Sequence, residues 1–272
     1  MRSVHTVLVV GCVVVLGGCG GRNSSPPGET PGAERTTTTA VLESAAGLVQ
    51  SKAPVEKISM YLSGFHPAKD DPQMQMESHH YCNQVNEDFA QCVLFDGNTA
   101  DARLHGVEYI ISATLYADLP PEEKAYWHPH NYEILSGELR VPGVPGPAEQ
   151  EALERKINSY GKTWHTWMTG VHGQQPDSLP LGPPHLAWSF NHDGEIRPEL
   201  LESRDRRMNF DTAQARRDRA DLAKLAQPQG GVDALASHFP SAKPLPGVTD
   251  NGDAAARPVP TVGLQQPRAT GK

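Results

Sequence analysis

Apolar positions, capping residues and prolines along the chain predict four helices. Residues 39–50 place Val41, Ala45, Leu48 and Val49 at helical spacing. Residues 118–127 begin with an aspartate and two prolines, which favour a helix N-terminus. Residues 147–160 begin with proline and end before a glycine, and residues 199–226 carry the many charges of a solvated helix.

Short apolar or alternating runs between these segments predict strands. They cover residues 91–96, 103–112, 162–168 and 186–190, and residues 132–139 are expected to form two strands with a turn between them. Strands and short helices are mixed without a regular βαβ rhythm. The pattern therefore predicts an α+β fold of one domain, with a mainly antiparallel sheet and flanking helices.

The first residues have the pattern of an export signal. Arg2 precedes an apolar run from Val7 to Leu16, which is too short to span a bilayer. The run ends in Leu-Gly-Gly-Cys, which resembles the lipobox of bacterial lipoproteins, and this resemblance implies that Cys19 is acylated with diacylglycerol and palmitate. We expect a protein of the cell envelope that is held on the exported side of a membrane by lipid on Cys19.

Composition sets the expected boundaries of the mature protein. Residues 1–18 are the predicted lipoprotein signal peptide, and residues 19–37, rich in Gly, Ser, Pro and Thr, are a predicted flexible tether. The domain is expected at residues 38–225. Residues 226–272 have a composition like that of the tether and are expected to be a disordered tail.

Charge and motifs exclude several classes of function. The chain has 272 residues with 32 acidic and 24 basic side chains, so its formal charge of −8 gives no electrostatic footprint for nucleic acid. It also lacks a G-x-S-x-G elbow, a P-loop, a dinucleotide-binding fingerprint, and the H-E-x-x-H and C-x-x-C motifs. Nothing in these patterns argues for a common hydrolase or nucleotide-dependent enzyme.

Histidine is the one residue type that suggests a site, with nine between positions 79 and 192. His128 and His130, two residues apart, would lie on one face of a strand, as two ligands of one ion often do. His80 and Glu108 could complete a site for a divalent transition metal, since an acid inside an apolar strand needs a partner. Glu133 would fall on the opposite face unless a turn intervenes. A satisfied buried polar network is the alternative interpretation.

Two cysteines, Cys82 and Cys92, remain after the signal and the acylated position are set aside. In an exported domain two cysteines ordinarily pair, so a disulfide between them is one possibility and a pair of free thiols is the other.

Many short motifs in a fixed order resemble the oil body-associated protein family. They run through roughly residues 55–210 and read H-H-Y-C, N-E-D-F, G-V-E-Y-I, W-H-x-H-x-Y-E, Y-G-K and L-P-L-G. Plant members of that family associate with seed lipid droplets. The resemblance implies a shared fold and a tendency to work at lipid surfaces, and it names no reaction. A weaker similarity to the two metal-binding motifs of cupins fails in its spacing.

Two functional hypotheses follow. The first is a membrane-anchored envelope lipoprotein whose domain binds a ligand or organises a lipid surface without catalysis. The second is a metal-binding protein or metal-dependent enzyme that uses the histidine cluster. A module that binds another envelope protein is a third class, which the sequence does not separate from the first.

Overall fold

One antiparallel sheet forms the centre of the fold in the computed structural model, which describes residues 23–24, 30–171 and 175–253. The order of its main strands is β1-β2-β3-β4-β6-β5, and β7 also pairs with β6. Two further short strands, β8 and β9, pair with each other. The strands are β1 (Met60–Pro67), β2 (Gln75–Asn86), β3 (Phe89–Phe95), β4 (Leu104–Ile111), β5 (His128–Pro129), β6 (Tyr160–His165), β7 (His185–Leu186), β8 (His192–Asp193) and β9 (Lys243–Pro244).

Short helices connect the strands and cover the sheet. They are α1 (Thr37–Val49), α2 (Ala53–Glu56), α3 (Ala113–Ala117), α4 (Pro121–Lys124), α5 (Asn131–Leu135), α6 (Gly146–Glu154), α7 (Pro198–Met208) and α8 (Thr212–Asp218), followed by 3-10 helices at Ala220–Lys224 and Val232–His238. The largest apolar core packs the sheet against α5, α6 and α7 and includes Phe65, Leu94, Ile134, Leu153 and Phe190. The predicted α+β class with a mainly antiparallel sheet is confirmed.

Alternation along the strands decides which side chains meet the core. Successive residues of a strand point to opposite faces, so residues of one parity share a face. Leu62 of β1 pairs with His80 of β2, which pairs in turn with Leu94 of β3. The same face therefore carries both apolar core residues and the histidine predicted to bind a ligand.

Several predicted strands differ from the observed ones. Residues 132–139 form α5 and a turn rather than two strands, because Tyr132, Ile134 and Leu135 are all buried and a short apolar run has no period that separates helix from strand. The strand predicted at 186–190 is only β7. The two long strands β1 and β2 were not predicted, because polar residues and histidines interrupt their apolar pattern.

The helix predicted at 39–50 is observed as α1 (Thr37–Val49), and the other three predicted helices are shorter than expected. The segment predicted at 147–160 ends at Glu154, and the one at 118–127 contains only α4. The long helix predicted at 199–226 divides into α7, α8 and a 3-10 helix. The division begins at Asn209, whose φ of 56° lies in the left-handed region and ends α7.

The expected start of a disordered tail at residue 226 is wrong. Residues 226–253 pack on the domain, where Val232, Leu235, Leu245 and Val248 are buried. Trp188 donates a hydrogen bond from Nε1 to the carbonyl of Gly231 at 3.0 Å. This segment contains few apolar residues, so its composition resembles that of a tail. Those few residues are buried because they pack against apolar side chains of the rest of the domain. Residues 254–272 lie outside the described part of the chain.

The predicted signal peptide, the predicted acylation site Cys19 and residues 19–22 and 25–29 of the predicted tether also lie outside the described residues. Within the described residues no helix is long and apolar enough to cross a membrane.

Candidate metal centre

Four side chains predicted to form a site come together around one buried carboxylate, that of Glu108. Its Oε2 lies 3.1 Å from His80 Nε2. Its Oε1 lies 3.5 Å from His128 Nε2 and 3.3 Å from His130 Nε2. The structure therefore brings together the residues that the sequence grouped, while their role as metal ligands stays a prediction.

Neighbouring strands hold these side chains in register. Glu108 of β4 pairs with Thr163 of β6, and two residues away Gly161 of β6 pairs with His128 of β5. His130 is the residue before α5, so it leaves the strand but stays beside its neighbour, with the two imidazole rings 5.0 Å apart. Strand pairing thus places both histidines opposite the carboxylate.

A glycine keeps space open between the three nearest ligand atoms. A Cβ at Gly161 would lie 2.6 Å from His128 Nε2 and 2.6 Å from His130 Nε2, and closer still to Glu108 Oε1. No side chain can occupy that position without displacing the three atoms. Glu108, His128 and His130 form a group whose ligand atoms all lie within 4.8 Å of one another, and Glu108 forms a second such group with His66 and His80.

The hydrogen bonds of His130 leave a lone pair that faces the carboxylate. Ser159 Oγ donates its proton to the carbonyl of Lys156 at 2.7 Å, so at 2.8 Å it accepts from His130 Nδ1. The Nε2 of a neutral His130 then carries a lone pair, and it lies 3.3 Å from Glu108 Oε1, which is also an acceptor. A cation, or a second proton on the imidazole, is needed between these two atoms.

His128 is fully buried, and neither of its ring nitrogens has a hydrogen-bond partner within the described residues. Burial lowers its pKa to about 4, against the opposing effect of Glu108, so the ring is neutral at pH 7. Burial would raise the pKa of Glu108, but the adjacent imidazoles of His128, His130 and His80 hold that pKa well below its usual value. The result is an ionised Glu108 carboxylate beside the neutral imidazole of His128, and these are the ligand forms that a transition metal requires.

Three further histidines form a second layer that the sequence analysis did not assign to the site. His66 Nδ1 lies 3.1 Å from His165 Nε2, and the His165 ring packs 4.6 Å from the ring of His105. Burial lowers the pKa of all three well below the usual value, so they are neutral. His105 lies on β4 three residues before Glu108, where strict alternation would place it on the opposite face. The pairing of β3 with β4 shifts register at this point, so spacing along the chain gave no signal for His105. His66 lies on a strand that was not predicted.

Glu133 does not point away from the site, as a continued strand would require. The chain turns into α5 after His130, and Glu133 Oε2 lies 4.0 Å from His130 Nε2. Burial, with Glu108 and Glu138 nearby, raises the pKa of Glu133 well above its usual value.

The two cysteines of the sequence analysis lie beside the centre, and His185, which belongs to the weaker similarity to cupins, lies away from it. Cys82 and Cys92 form a disulfide between β2 and β3, and Cys92 pairs across the sheet with Glu108. His185, the last residue of the cupin-like motif, lies 3.5 Å from Asp70 and outside the cluster.

A cavity of about 50 Å³ adjoins the centre. His66, His80, Glu108, His130 and Glu133 line one end of it. Its walls are apolar and include Met60, Leu62, Ile110, Ile134 and Leu153. The arrangement can hold an ion at a polar floor and a small apolar group above it.

The family of the chain follows from sequence comparison. Residues 52–223 match the family described as "Protein of unknown function (DUF1264)". Oil body-associated protein 1A of Zea mays is 40% identical over 209 residues, which cover 77% of this chain and 85% of the relative. The chain belongs to the oil body-associated protein-like family.

Other members of this family are similar over the same extent. Oil body-associated protein 1B of Arabidopsis thaliana is 37% identical, covering 76% of this chain and 83% of its own length. Oil body-associated protein 2A of Zea mays is 38% identical, and the similarity covers 79% of this chain and 83% of that protein. No solved structure matches the chain. The resemblance seen in the sequence motifs is confirmed, and the matched region contains the whole histidine cluster.

Proposed function

We propose that this family member binds a divalent transition metal through Glu108, His80, His128 and His130. The observation that carries the proposal is the approach of His130 Nε2 to Glu108 Oε1, two acceptor atoms with a lone pair each, in a buried site. A cation between them satisfies both. Ser159, which fixes the tautomer of His130, acts as the kind of outer-shell partner that metal-binding histidines use.

His128 supports the same proposal from a second direction. A buried imidazole with no hydrogen bond on either nitrogen is costly, because the desolvated polar atoms gain nothing in return. Its Nε2 faces the space beside Gly161, where a metal–nitrogen bond of about 2.0–2.1 Å would satisfy it. A purely polar network would leave this ring unsatisfied.

The metal is tested by measuring content in protein purified without a chelator or a histidine tag. We expect close to one equivalent of Zn, Fe, Mn or Cu by mass spectrometry, and its loss in the His128→Ala, His130→Ala double variant. His185→Ala is the matched control, since this histidine lies on the same sheet outside the cluster. A wild-type protein that stays metal-free after incubation with Zn²⁺ would overturn the proposed metal centre.

We also propose that the domain works at a membrane, held by lipid on Cys19. The lipobox-like sequence supports the anchor, and several buried acyl chains supply enough free energy for stable attachment. The names of the relatives associate those proteins with oil bodies, which supports a role at a lipid surface for this chain.

The anchor is tested by substitution. Cys19→Ser should move the protein from the membrane fraction to the soluble fraction after signal cleavage. Cys12→Ser, within the predicted signal, should leave the protein on the membrane. A cleaved Cys19→Ser protein that stays in a carbonate-washed membrane pellet would refute the lipid anchor.

A further inference from the structure

The cavity beside the centre has a polar floor, apolar walls and a polar mouth. Glu108 and His130 of the centre line its floor, whereas His128 lies behind them and does not reach it. Residues of four strands and two helices form its walls, among them Leu62, Ile110 and Leu153. A ligand that enters is therefore guided along an apolar path to the proposed ion.

The side of the centre that faces the cavity is the one open to a ligand. Gly161 backs the group formed by Glu108, His128 and His130 so closely that no further group fits on that side. Of the four residues proposed to bind the metal, Glu108, His128 and His130 form one compact group, whereas His80 approaches the other oxygen of Glu108. An ion held by that compact group keeps a coordination position for an external molecule. That position lies toward the cavity, because the described protein atoms enclose the other sides.

Charge selects the head group of such a ligand. Imidazole binds a metal in its neutral form, so a divalent ion with one carboxylate ligand and histidine ligands leaves one net positive charge. The site is buried, and an uncompensated buried charge is expensive. An anionic head group neutralises it, whereas an alcohol or an amine does not. A carboxylate is an oxygen ligand of suitable size and charge.

Size and the shape of the mouth select the rest of the ligand. A volume of about 50 Å³ holds roughly three to five water-sized groups. Lys156 and Gln84 stand at the mouth, joined by a hydrogen bond of 2.6 Å from Nζ to Oε1. A short alkyl chain fills the apolar section, and a longer chain leaves at the mouth, beside the exposed Gln84 and the half-buried Lys156.

We propose that this cavity binds an aliphatic monocarboxylate, with its carboxylate on the ion and its chain along the apolar walls. The inference rests on the proposed metal centre and names the ligand class of that centre. It makes the domain a metal-dependent binding site for fatty-acid-like molecules.

The test is calorimetric titration of hexanoate into the full chain carrying Cys19→Ser, loaded with Zn²⁺ and free of detergent. Hexanoate should bind at least about tenfold more tightly than acetate, which lacks the four methylenes, and than 1-hexanol, which lacks the charge. Removing Zn²⁺ should weaken hexanoate binding at least tenfold. Zn²⁺ content is measured separately on every sample.

Two alanines of α6 give a matched pair of variants. Ala152→Phe places a ring in the cavity, and Ala148→Phe places the same ring on the exposed surface of the same helix. Ala152→Phe should lose hexanoate binding at least tenfold while it retains Zn²⁺, and Ala148→Phe should bind hexanoate as the parent does.

The outcomes separate the two proposals. Two results would overturn the proposed ligand while the metal centre stands, provided that Zn²⁺ is retained. One is equal binding of hexanoate and 1-hexanol, and the other is hexanoate binding that Ala152→Phe does not change. Hexanoate binding that is the same with and without Zn²⁺ would overturn coordination of the carboxylate. Failure of the parent protein to take up Zn²⁺ would overturn both.

Discussion

Gly161 is the residue on which the geometry of the candidate centre depends most directly. We predict that Gly161→Ala weakens Zn²⁺ binding by roughly 10- to 100-fold, as loss of an orienting contact does in other metal sites. The added methyl group would lie 2.6 Å from the Nε2 atoms of His128 and His130 and force them apart. Zn²⁺ affinity by competition with a chromogenic chelator measures the effect.

Gly146→Ala is the control for that prediction. Gly146 begins α6, and a Cβ there meets no atom within 4 Å. This variant should bind Zn²⁺ like the wild type. Equal Zn²⁺ affinities for Gly161→Ala and the wild type would mean that the ion, if bound, lies elsewhere.

Glu138 predicts a dependence of stability on pH. Burial, with Glu195 and Asp193 nearby, raises its pKa from 4.5 to about 8, so the folded protein holds a proton that the unfolded chain has lost. The contribution of Glu138 to the free energy of unfolding is fully present below about pH 4.5 and is lost as the pH rises through 8. The free energy of unfolding should therefore fall with rising pH, by at most about 1.4 kcal/mol per pH unit from this group.

Glu138→Gln should remove that part of the slope. The neutral amide keeps the shape of the protonated acid, so the variant should gain stability relative to the wild type as the pH rises from 6.5 to 9. Denaturant unfolding at several pH values measures it, and the exposed Glu151→Gln serves as the control. If the free energy of unfolding depends on pH in the same way for the wild type and for Glu138→Gln, Glu138 is not protonated in the folded protein.

At the scale of elements, the disulfide joins the two strands that support one side of the centre. Cys82 and Cys92 are paired residues of β2 and β3, and they lie two residues from His80 and directly across from Glu108. Replacing both cysteines by serine should lower the free energy of unfolding by about 2–4 kcal/mol, because the unfolded chain is no longer constrained.

Reductant provides the internal control. A thiol reductant should destabilise the wild type to the level of the Cys82→Ser, Cys92→Ser variant and leave that variant unchanged. The reductant is added under conditions in which it reaches the disulfide. If the unfolding midpoint of the wild type is then the same with and without reductant, the two cysteines are not oxidised in the protein.

At the scale of the whole molecule, the C-terminal segment decides where the domain ends. Val232, Leu235, Leu245 and Val248 are buried, at about 1.5–3 kcal/mol for each side chain. Their sum is comparable to the total stability of a typical domain, about 5–15 kcal/mol. A chain that stops after residue 225 should therefore fail to fold, whereas one that stops after residue 253 should unfold at the same temperature as the full chain.

Limited proteolysis checks the same boundary without truncation. Fragments of the native protein should retain residues 226–253, and mass spectrometry of the resistant core locates its end. A core that ends near residue 226 would restore the boundary expected from composition.

The sequence by itself determined the family, the α+β class and the core of the candidate site. Motif order identified the family, and alternation within short strands was enough to group His128 and His130 and to single out Glu108, because these inferences need only local spacing and the cost of a buried charge.

Only the tertiary structure decided what surrounds that core. His66 meets His165 across 99 residues of chain, and Gly161 approaches the ligand atoms because β6 lies between β4 and β5. The turn into α5 brings Glu133 to the centre, and residues 226–253 cover an apolar surface made by other elements. Strand order and packing depend on contacts between segments that are distant in the sequence. The spacing of residues along the chain therefore does not predict them.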